Sequence, residues 1–396
     1  MSQELSDLII LAGGKGSRIR RYLKNKPKPL IKIGNTSILE KILYQFCKYE
    51  FRKIFIICGY KGEQIFKKFN NTFLNFNKII CLKENKPMGT AGFINKNIKI
   101  FTPTFYVVNA DSYCDFNFEK FKKIKLNNSY GKIILTKNKS YNSNKKLNNL
   151  NILKNKVIDK NYNNNLMNAG IYFLKSKCFN INTKNEFLSL EDDIISPLIN
   201  KKKILGFRSN NFFLDIGTPA NLKKAKTLFD KNFTKPAIFL DRDGTINEDI
   251  GYLHKFRDFK LKKNILKFLK YLSKKKVYLF IVTNQAGIGK KIFTMKQFIN
   301  FQKKFKHFFS NHNIYFDEVI FCPYHINAKI KKYKKKSLYR KPGNLMVESI
   351  LKRWNINKSK SFFIGDRKKD KLCAKKSNIK FFYYRYDLYR SIKKLI

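Results

Sequence analysis

The chain has no apolar run long enough to cross a bilayer. Its longest, at residues 54–58 and 277–283, are the size of single strands. No apolar stretch follows the first seven residues, so a secretory signal of the usual kind is not expected. Histidine is rare, with four in 396 residues; His254, His307 and His312 fall in polar or helical contexts and read as solvated rather than catalytic. The seven cysteines are odd in number and scattered, and several sit inside apolar segments, which argues against a disulfide framework. Reduced, partly buried thiols in a cytoplasmic protein are expected instead. The one tryptophan, Trp354, is expected to pack the helix at 343–353 onto a sheet. Acidic residues are few: 27 Asp and Glu stand against 84 Lys and Arg, a formal net charge of +57. Such a charge could serve a nucleic acid or an anionic membrane. Yet the lysines are spread along the whole chain among Asn, Ile, Phe and Tyr, as compositional drift would leave them. Neither a nucleic-acid nor a membrane partner is expected; a positive surface would still steer small phosphorylated anions inward.

A chain of 396 residues exceeds one ordinary hydrophobic core, and 43% hydrophobic content suffices for two. In the first half, apolar strands at 8–11, 53–58, 78–82, 104–108 and 133–136 alternate with amphipathic helices at 37–50 and 62–69. That rhythm implies a largely parallel sheet covered by helices. The Asn/Lys-rich stretch 138–165 reads as a hairpin or loop insertion, and a helix at 219–229 closes this half. A second rhythm starts at Pro236, with strands at 237–240, 277–282, 318–322, 361–364 and 381–384. Helices at 261–272, 294–309 and 343–353 lie between them. We therefore expect an α/β protein of two domains, 1–232 and 235–396.

The first strand runs into Leu11-Ala12-Gly13-Gly14-Lys15-Gly16-Ser17-Arg18. Three glycines let the backbone wrap closely around an anion, and Lys15 and Arg18 can neutralise its charge. A Walker A loop is excluded because Gly16-Ser17-Arg18 replaces its Gly-Lys-Ser/Thr end. A dinucleotide fingerprint is excluded because Ile19 stands where its third glycine is needed. A loop for the triphosphate of a nucleotide remains. Lys28 is set between Pro27 and Pro29, which stiffen the backbone around one ammonium group. Asp111 and Asp215 each follow a strand, and two carboxylates converging at strand ends could hold Mg²⁺ against phosphates.

Residues 7–230 resemble the sugar-1-phosphate nucleotidyltransferases. The match rests on residues 11–18, Pro27-Lys28-Pro29-Leu30, Glu84 with Met88-Gly89-Thr90-Ala91-Gly92, Asp111, Asn168-Ala169-Gly170, and Asp215-Ile216-Gly217-Thr218-Pro219. The resemblance implies a Rossmann-like mixed sheet in which Arg18 and Lys28 contact the triphosphate or the sugar phosphate. It also implies that Asp111 and Asp215 bind the metal, Gly89 lies by the nucleobase, and Glu84, Asn168 and Gly170 line the sugar side. A sugar-1-phosphate oxygen would attack the α-phosphorus in line and release pyrophosphate, a step of positioning and charge neutralisation. Two departures stand out. Ala110 replaces the family's glycine before the metal aspartate, and Asp159-Lys160 only loosely represents its Glu-Lys pair.

The most specific local motif is Phe239-Leu240-Asp241-Arg242-Asp243-Gly244-Thr245-Ile246. Two carboxylates, two residues apart at a strand end, can divide covalent phosphoryl transfer. Asp241 would attack phosphorus, while Asp243 protonates the leaving oxygen and later activates water. Thr283 and Asn284 end the next strand and can bind phosphate oxygens. Lys341 supplies a cation, and Asp366 and Asp370 suit Mg²⁺ together with Asp241 and Asp243. A calcium loop would need further close oxygen ligands ending in a glutamate, and the order here does not supply them.

These segments, over residues 236–385, resemble the haloacid-dehalogenase (HAD)-type phosphatases. Asp241–Asn247 and Arg340-Lys341-Pro342 resemble the histidinol-phosphate and heptose-bisphosphate phosphatases in particular. The connections after Asn247 and Thr283 leave no room for a large cap, so an open pocket is expected. Relatives of this kind often hold a structural zinc, but after Cys322 and His325 the later cysteine places are Ser337 and Tyr339. No structural zinc is expected.

Together the resemblances imply two steps on one sugar. One half would remove the C7 phosphate of D-glycero-D-manno-heptose 1,7-bisphosphate, and the other would transfer GMP from GTP to the 1-phosphate, with Mg²⁺ in both sites. Two alternatives stand beside this reading. The same activities could act on another sugar phosphate or on histidinol phosphate with another nucleotide, or a decayed basic scaffold could bind nucleic acid. A homo-oligomer is compatible with either enzyme reading.

Overall fold

The computed structural model describes residues 4–137, 150–159, 166–179, 181, 186–385, 387–388 and 392. The chain forms two compact units. The first gathers the residues through Ile33, Ser37–Ile42 and Phe51–Phe229; the second gathers Gly34–Thr36, Leu43–Glu50 and the chain from Asp230 onward.

The first unit is built on a ten-stranded mixed sheet. Asp7–Ala12 lies in its interior, parallel to Ile54–Cys58 on one side and Thr104–Asn109 on the other. Ile54–Cys58 pairs in parallel with Asn77–Lys83, while Leu166–Lys175 runs antiparallel to Thr104–Asn109 and Gly131–Lys137. The strands were legible because their residues are apolar on both faces. Side chains alternate across the sheet, so Ile9, Phe55, Ile57, Phe105, Val107, Ile133 and Leu135 share one face. They bury it under Ala91, Ile94, Leu190, Ile194, Ile195 and Ile199. Each such large side chain taken out of water contributes about 1.5–3 kcal/mol. Within the polar insertion, Leu150–Leu153 and Lys156–Asp159 pair as an antiparallel hairpin. Asp159 ends it, and Lys160 lies outside the described residues.

One of the many lysines is internal. Lys132 is 1% exposed and donates to the carbonyls of Phe121 (2.7 Å), Lys122 (3.0 Å) and Ile124 (2.8 Å). It therefore satisfies the end of the helix Phe118–Lys123. Burial brings its pKa down to about 8.

The second unit holds five parallel strands in the order Glu318–Cys322, Tyr278–Asn284, Ala237–Leu240, Phe362–Gly365, Lys380–Tyr383. Every strand therefore presents its carboxyl end at one edge, where ligands gather in open α/β sheets. The helix Met295–Ser310 starts at a capping box, Thr294 with Gln297. The helix expected from 261 begins only at Ile265, because Leu261 bridges to Asn247 and Asn264 is left-handed at φ 64°. Trp354 follows the helix Leu345–Arg353 and meets the sheet as expected. Its ring lies 4.9 Å from that of Tyr278 and 5.2 Å from that of Phe280, and its Nε1 donates to buried Glu318 at 3.0 Å. Between the Asp241 motif and the helix at Ile265 there is only a 3₁₀ turn, Phe256–Asp258, so no large cap is inserted there. Among the described residues no helix is long and apolar enough to cross a membrane.

Candidate active sites

In the first unit the strand Asp7–Ala12 delivers the glycine loop directly. Gly16 needs its left-handed φ of +63°, and a Cβ there would press on Lys28 at 3.2 Å. A cavity of about 460 Å³ opens above the loop, and Leu11, Ala12, Gly13, Gly14, Lys15, Lys28, Glu84, Gly89 and Asp111 all line it. Gly16, Arg18, Asn168, Gly170 and Asp215 lie outside its walls, and Arg18 is exposed on the 3₁₀ turn Ser17–Tyr22.

Lys28 Nζ pairs with Asp111 Oδ2 at 2.6 Å. The strands Ser112–Cys114 and Phe213–Asp215 are antiparallel with Asp215 opposite Ser112, and the Ile216 amide donates to the Asp111 carbonyl at 3.1 Å. This short ladder brings together the backbones of two aspartates 104 positions apart in the chain, and Asp215 Oδ1 accepts from the Gly217 amide at 2.7 Å. Their donors are all oxygen, the set a hard divalent cation prefers.

Gly89 (φ +74°) is required by close approach, since a Cβ there would collide with the Leu188 carbonyl. A bulge in the pairing of Leu166–Lys175 falls at Asn168–Tyr172, and Gly170, at φ +74°, turns its amide onto Asn168 Oδ1 at 3.0 Å. From there a chain of contacts was not foreseen. Asn168 Nδ2 donates to the Tyr172 hydroxyl (2.5 Å), which donates to Glu191 Oε1 (2.8 Å); Glu191 Oε2 accepts from Thr90 at 3.3 Å. Glu191 thus ties the Gly89 loop to the Asn168 strand. Its only sequence signal was a helix start, Ser189 capping Asp192.

Glu84 lies against the glycine loop; its Oε2 would be 2.5 Å from a Cβ on Gly13. Burial pushes its carboxyl up from 4.5 to about 7. The folded value lies above the unfolded one, so the stabilisation from neutral Glu84 is complete below about pH 4.5 and lost as pH rises through about 7. Glu84→Gln removes that dependence. Its melting temperature relative to wild type is expected to rise between about pH 5 and about pH 8 by scanning calorimetry. A constant difference would place the carboxyl at its ordinary value.

In the second unit the parallel strands bring the quoted motifs together. Asp241, Asp366 and Asp370 each offer a carboxylate oxygen, all within 4.8 Å of one another. Lys341 Nζ sits among them, 2.8 Å from Asp241 and 2.7 Å from Asp370. Gly244, at φ +88°, passes where a Cβ would collide with the Asp366 carboxylate. Burial raises the Asp241 carboxyl to about 7, against the pull of Lys341. Burial and the Asp370 charge raise Asp366, whose Oδ1 is buried without a hydrogen-bond partner. An orphaned acceptor beside two further carboxylates is a donor set that fits Mg²⁺.

The Asp243 side chain stands apart from that trio. Arg242 chelates it (2.9 Å to each oxygen), Asn247 Nδ2 donates to Oδ1 at 3.0 Å and Gln285 Nε2 to Oδ2 at 2.8 Å. Burial alone would raise its pKa, but these donors, Arg242 foremost, hold it below the usual value. Thr283 accepts from Gln285 Nε2 at 3.0 Å, and Asn284 brackets the Lys341 backbone (3.0 and 3.1 Å).

Asp241, Asp243, Thr283, Asn284 and Lys341 line a pocket of about 270 Å³, joined by Tyr252, Arg340, Arg367 and Lys369. Arg340 entered the sequence reading only within Arg340-Lys341-Pro342, and Arg367 and Lys369 were given no role there, because lysine and arginine are everywhere in the chain. Burial, then the charges of Arg367, Arg340 and Lys341, lower the pKa of Lys369.

The Nucleotidyl transferase family profile matches residues 8–232, more than half of the chain. The chain belongs to the nucleotidyl transferase family. The rest of this nucleotidyl transferase matches a second profile, Polynucleotide kinase 3 phosphatase, over residues 237–383. That part is similar to D-glycero-beta-D-manno-heptose-1,7-bisphosphate 7-phosphatases. The relative from Photorhabdus laumondii is 36% identical over 139 residues, 35% of this chain and 74% of that protein. The one from Vibrio cholerae is 34% identical over 145 residues, 37% and 78%. That from Escherichia coli K12 is 32% identical over 144 residues, 36% and 75%. Identity over that share of their length makes the chain a member of their family too. Among solved structures, HddC from Yersinia pseudotuberculosis is 25% identical, with a TM-score of 0.46 over 57% of this chain and all of that one. The nucleotidyl transferase is thus joined to a HAD-type phosphatase in one polypeptide.

Proposed function

We propose that the phosphatase half removes the C7 phosphate from D-glycero-D-manno-heptose 1,7-bisphosphate. The other half then transfers GMP from GTP to the resulting heptose 1-phosphate. The observation that carries the reading is the surplus of cations in the second pocket. Lys341 is committed to Asp241 and Asp370, and Arg367 to Asp249 and Asp366, yet Arg340 and Lys369 also line the same 270 Å³. One phosphate at Asp241 leaves these two beyond it, an arrangement suited to a substrate with a second phosphate.

In the phosphatase step Asp243, ionised in the free site, takes up a proton as the anionic substrate binds beside it; Asp241 attacks phosphorus, the C7 oxygen leaves with that proton, and water drawn on by Asp243 then frees phosphate and restores Asp241. Arg242, Asn247 and Gln285 hold Asp243 in place, Thr283 positions a phosphate oxygen, and Asn284 holds the Lys341 backbone instead of meeting phosphate with its side chain. In the transfer step Lys15, Arg18 and Lys28 neutralise the triphosphate while the sugar phosphate attacks the α-phosphorus. Mg²⁺, held by Asp111 and Asp215 in one site and by Asp241, Asp366 and Asp370 in the other, would supply further neutralisation of phosphate charge. Asn168 and Gly170 serve the sugar side. Glu84, an acceptor beside the glycine loop, also suits guanine, whose N1–H and 2-amino group are adjacent donors.

Supplied with heptose 1,7-bisphosphate, Mg²⁺ and GTP, the full chain is expected to release phosphate and then pyrophosphate. No turnover of the bisphosphate, with clear turnover of histidinol phosphate or another sugar phosphate, would reject the substrate while leaving both reaction classes standing.

A further inference from the structure

The chain from Pro323 to Asn344 carries Arg340 and Lys341 into the second pocket with no more regular structure than a 3₁₀ turn, Lys331–Tyr333. Lys341 is fixed from outside the loop by Asn284. Arg340 leans on the loop itself: its Nη1 donates to the Tyr324 carbonyl at 3.4 Å, and its amide donates to the Ser337 carbonyl at 3.0 Å.

The loop is tightly docked. The amides of Lys329 and Ile330 both donate to the Gly289 carbonyl (2.9 and 3.0 Å), and the His325 amide donates to Tyr333 O at 3.1 Å. The Tyr324 and Tyr333 rings meet edge to face at 5.9 Å, with the Lys335 ammonium 4.4 Å above Tyr324. Gly289 is the anvil. A Cβ there would lie 2.6 Å from Pro323 O, 3.1 Å from Ala328 Cβ and 3.2 Å from Tyr333 Cβ.

The resemblance to heptose-bisphosphate phosphatases raises a zinc ion at this place, and the donors do not fit one. A tetrahedral site needs four, and the side chains at 337 and 339 are serine and tyrosine. The two remaining donors are turned to local contacts. Cys322 is buried with Sγ 4.0 Å from Tyr324 O, and His325 Nδ1 accepts the Asn327 amide at 3.0 Å.

We propose that residues 323–340 form a metal-free clamp, in which Tyr324, Ala328 and Tyr333 closing on Gly289 hold Arg340 at the pocket rim to receive the second phosphate of a bisphosphorylated substrate. Receipt of a second phosphate by Arg340 rests on the function proposed above. Tyr333 is a positioning residue: it acts through Arg340 and touches no reacting atom.

The test uses the full chain and two substrates, heptose 1,7-bisphosphate and p-nitrophenyl phosphate, which has no second phosphate. The purified protein is expected to hold substoichiometric zinc by mass spectrometry, and a zinc-selective chelator in excess Mg²⁺ should leave turnover unchanged. Tyr333→Ala should raise KM for the bisphosphate about tenfold, the scale of one weakened charge-assisted hydrogen bond. It should leave p-nitrophenyl phosphate turnover unchanged, and Tyr333→Phe should restore the wild-type KM. Gly289→Ala provides the same readout should Tyr333→Ala fold poorly. One zinc per chain whose removal collapses bisphosphate turnover would overturn the clamp. So would an unchanged bisphosphate KM in both variants, or equal losses on both substrates. A wild type that does not prefer the bisphosphate refutes the substrate reading instead, and the zinc measurement then decides the clamp alone.

Discussion

Asp241→Asn is expected to suppress phosphate release by a factor on the order of 10⁴ or more, the scale of losing a covalent nucleophile, while nucleotidyl transfer stays within about twofold of wild type. The amide keeps the shape of the carboxyl but cannot form the acyl phosphate. Folding should survive. Asp241 is 6% exposed and its carboxyl already rests at about 7, so neutralising it removes a buried charge that the fold disfavours. Lys341 keeps Asp370 at 2.7 Å as counterion. Phosphate release from the bisphosphate, pyrophosphate release from GTP with heptose 1-phosphate, and a melting curve together decide it. Residual phosphatase activity near one-tenth of wild type would mean that water, not Asp241, attacks phosphorus. Asp243→Asn supplies a contrast: with the nucleophile intact and the proton donor gone, p-nitrophenyl phosphate, whose phenolate leaves without a proton, should load Asp241 with an acyl phosphate that accumulates, visible by intact-protein mass.

The sequence made the strand-end carboxylates legible because each is a local pattern. A run such as Ala237–Leu240 is apolar on both faces, so it must be a buried strand, and whatever follows it stands at a sheet edge. Parallel order then brings Asp241, Thr283 and Asp366 to one edge without any further information. Features that depend on contacts across long loops were not legible. Tyr172, Glu191 and Thr90 are joined through side chains as many as 101 positions apart, and no period or spacing announces that. Nor could composition separate working cations from solvated ones. Lys132 in the core, Arg340 at the rim and the exposed lysines look alike in a chain with 84 basic residues. The late start of the helix at Ile265 has a similar cause. Leu261 has the right spacing for the helix, but its bridge to Asn247 draws it into the loop below the Asp241 motif.

The converse variant, Asp111→Asn, is expected to lower nucleotidyl transfer by about 10³-fold, on the scale of one preorganised charge lost from a transition state, with phosphate release unchanged. Two effects act in one direction. The site loses the carboxylate that lines the nucleotide cavity, at the end of the Ser112–Cys114 and Phe213–Asp215 ladder. Lys28, 7% exposed, loses the carboxylate it meets at 2.6 Å and is free to take another rotamer or to stay as a poorly paired buried cation. Because the two side chains share one contact, their losses should not add: Lys28→Met combined with Asp111→Asn should be little worse than the poorer single variant. Additive losses would mean that the pairing of the two side chains contributes nothing beyond the separate roles of Lys28 at the triphosphate and Asp111 at the metal. A fall in phosphate release as well, with the melting curve intact, would show that the two sites do not work independently. Each unit has its own sheet and its own edge of carboxylates, so separable losses are what the architecture requires.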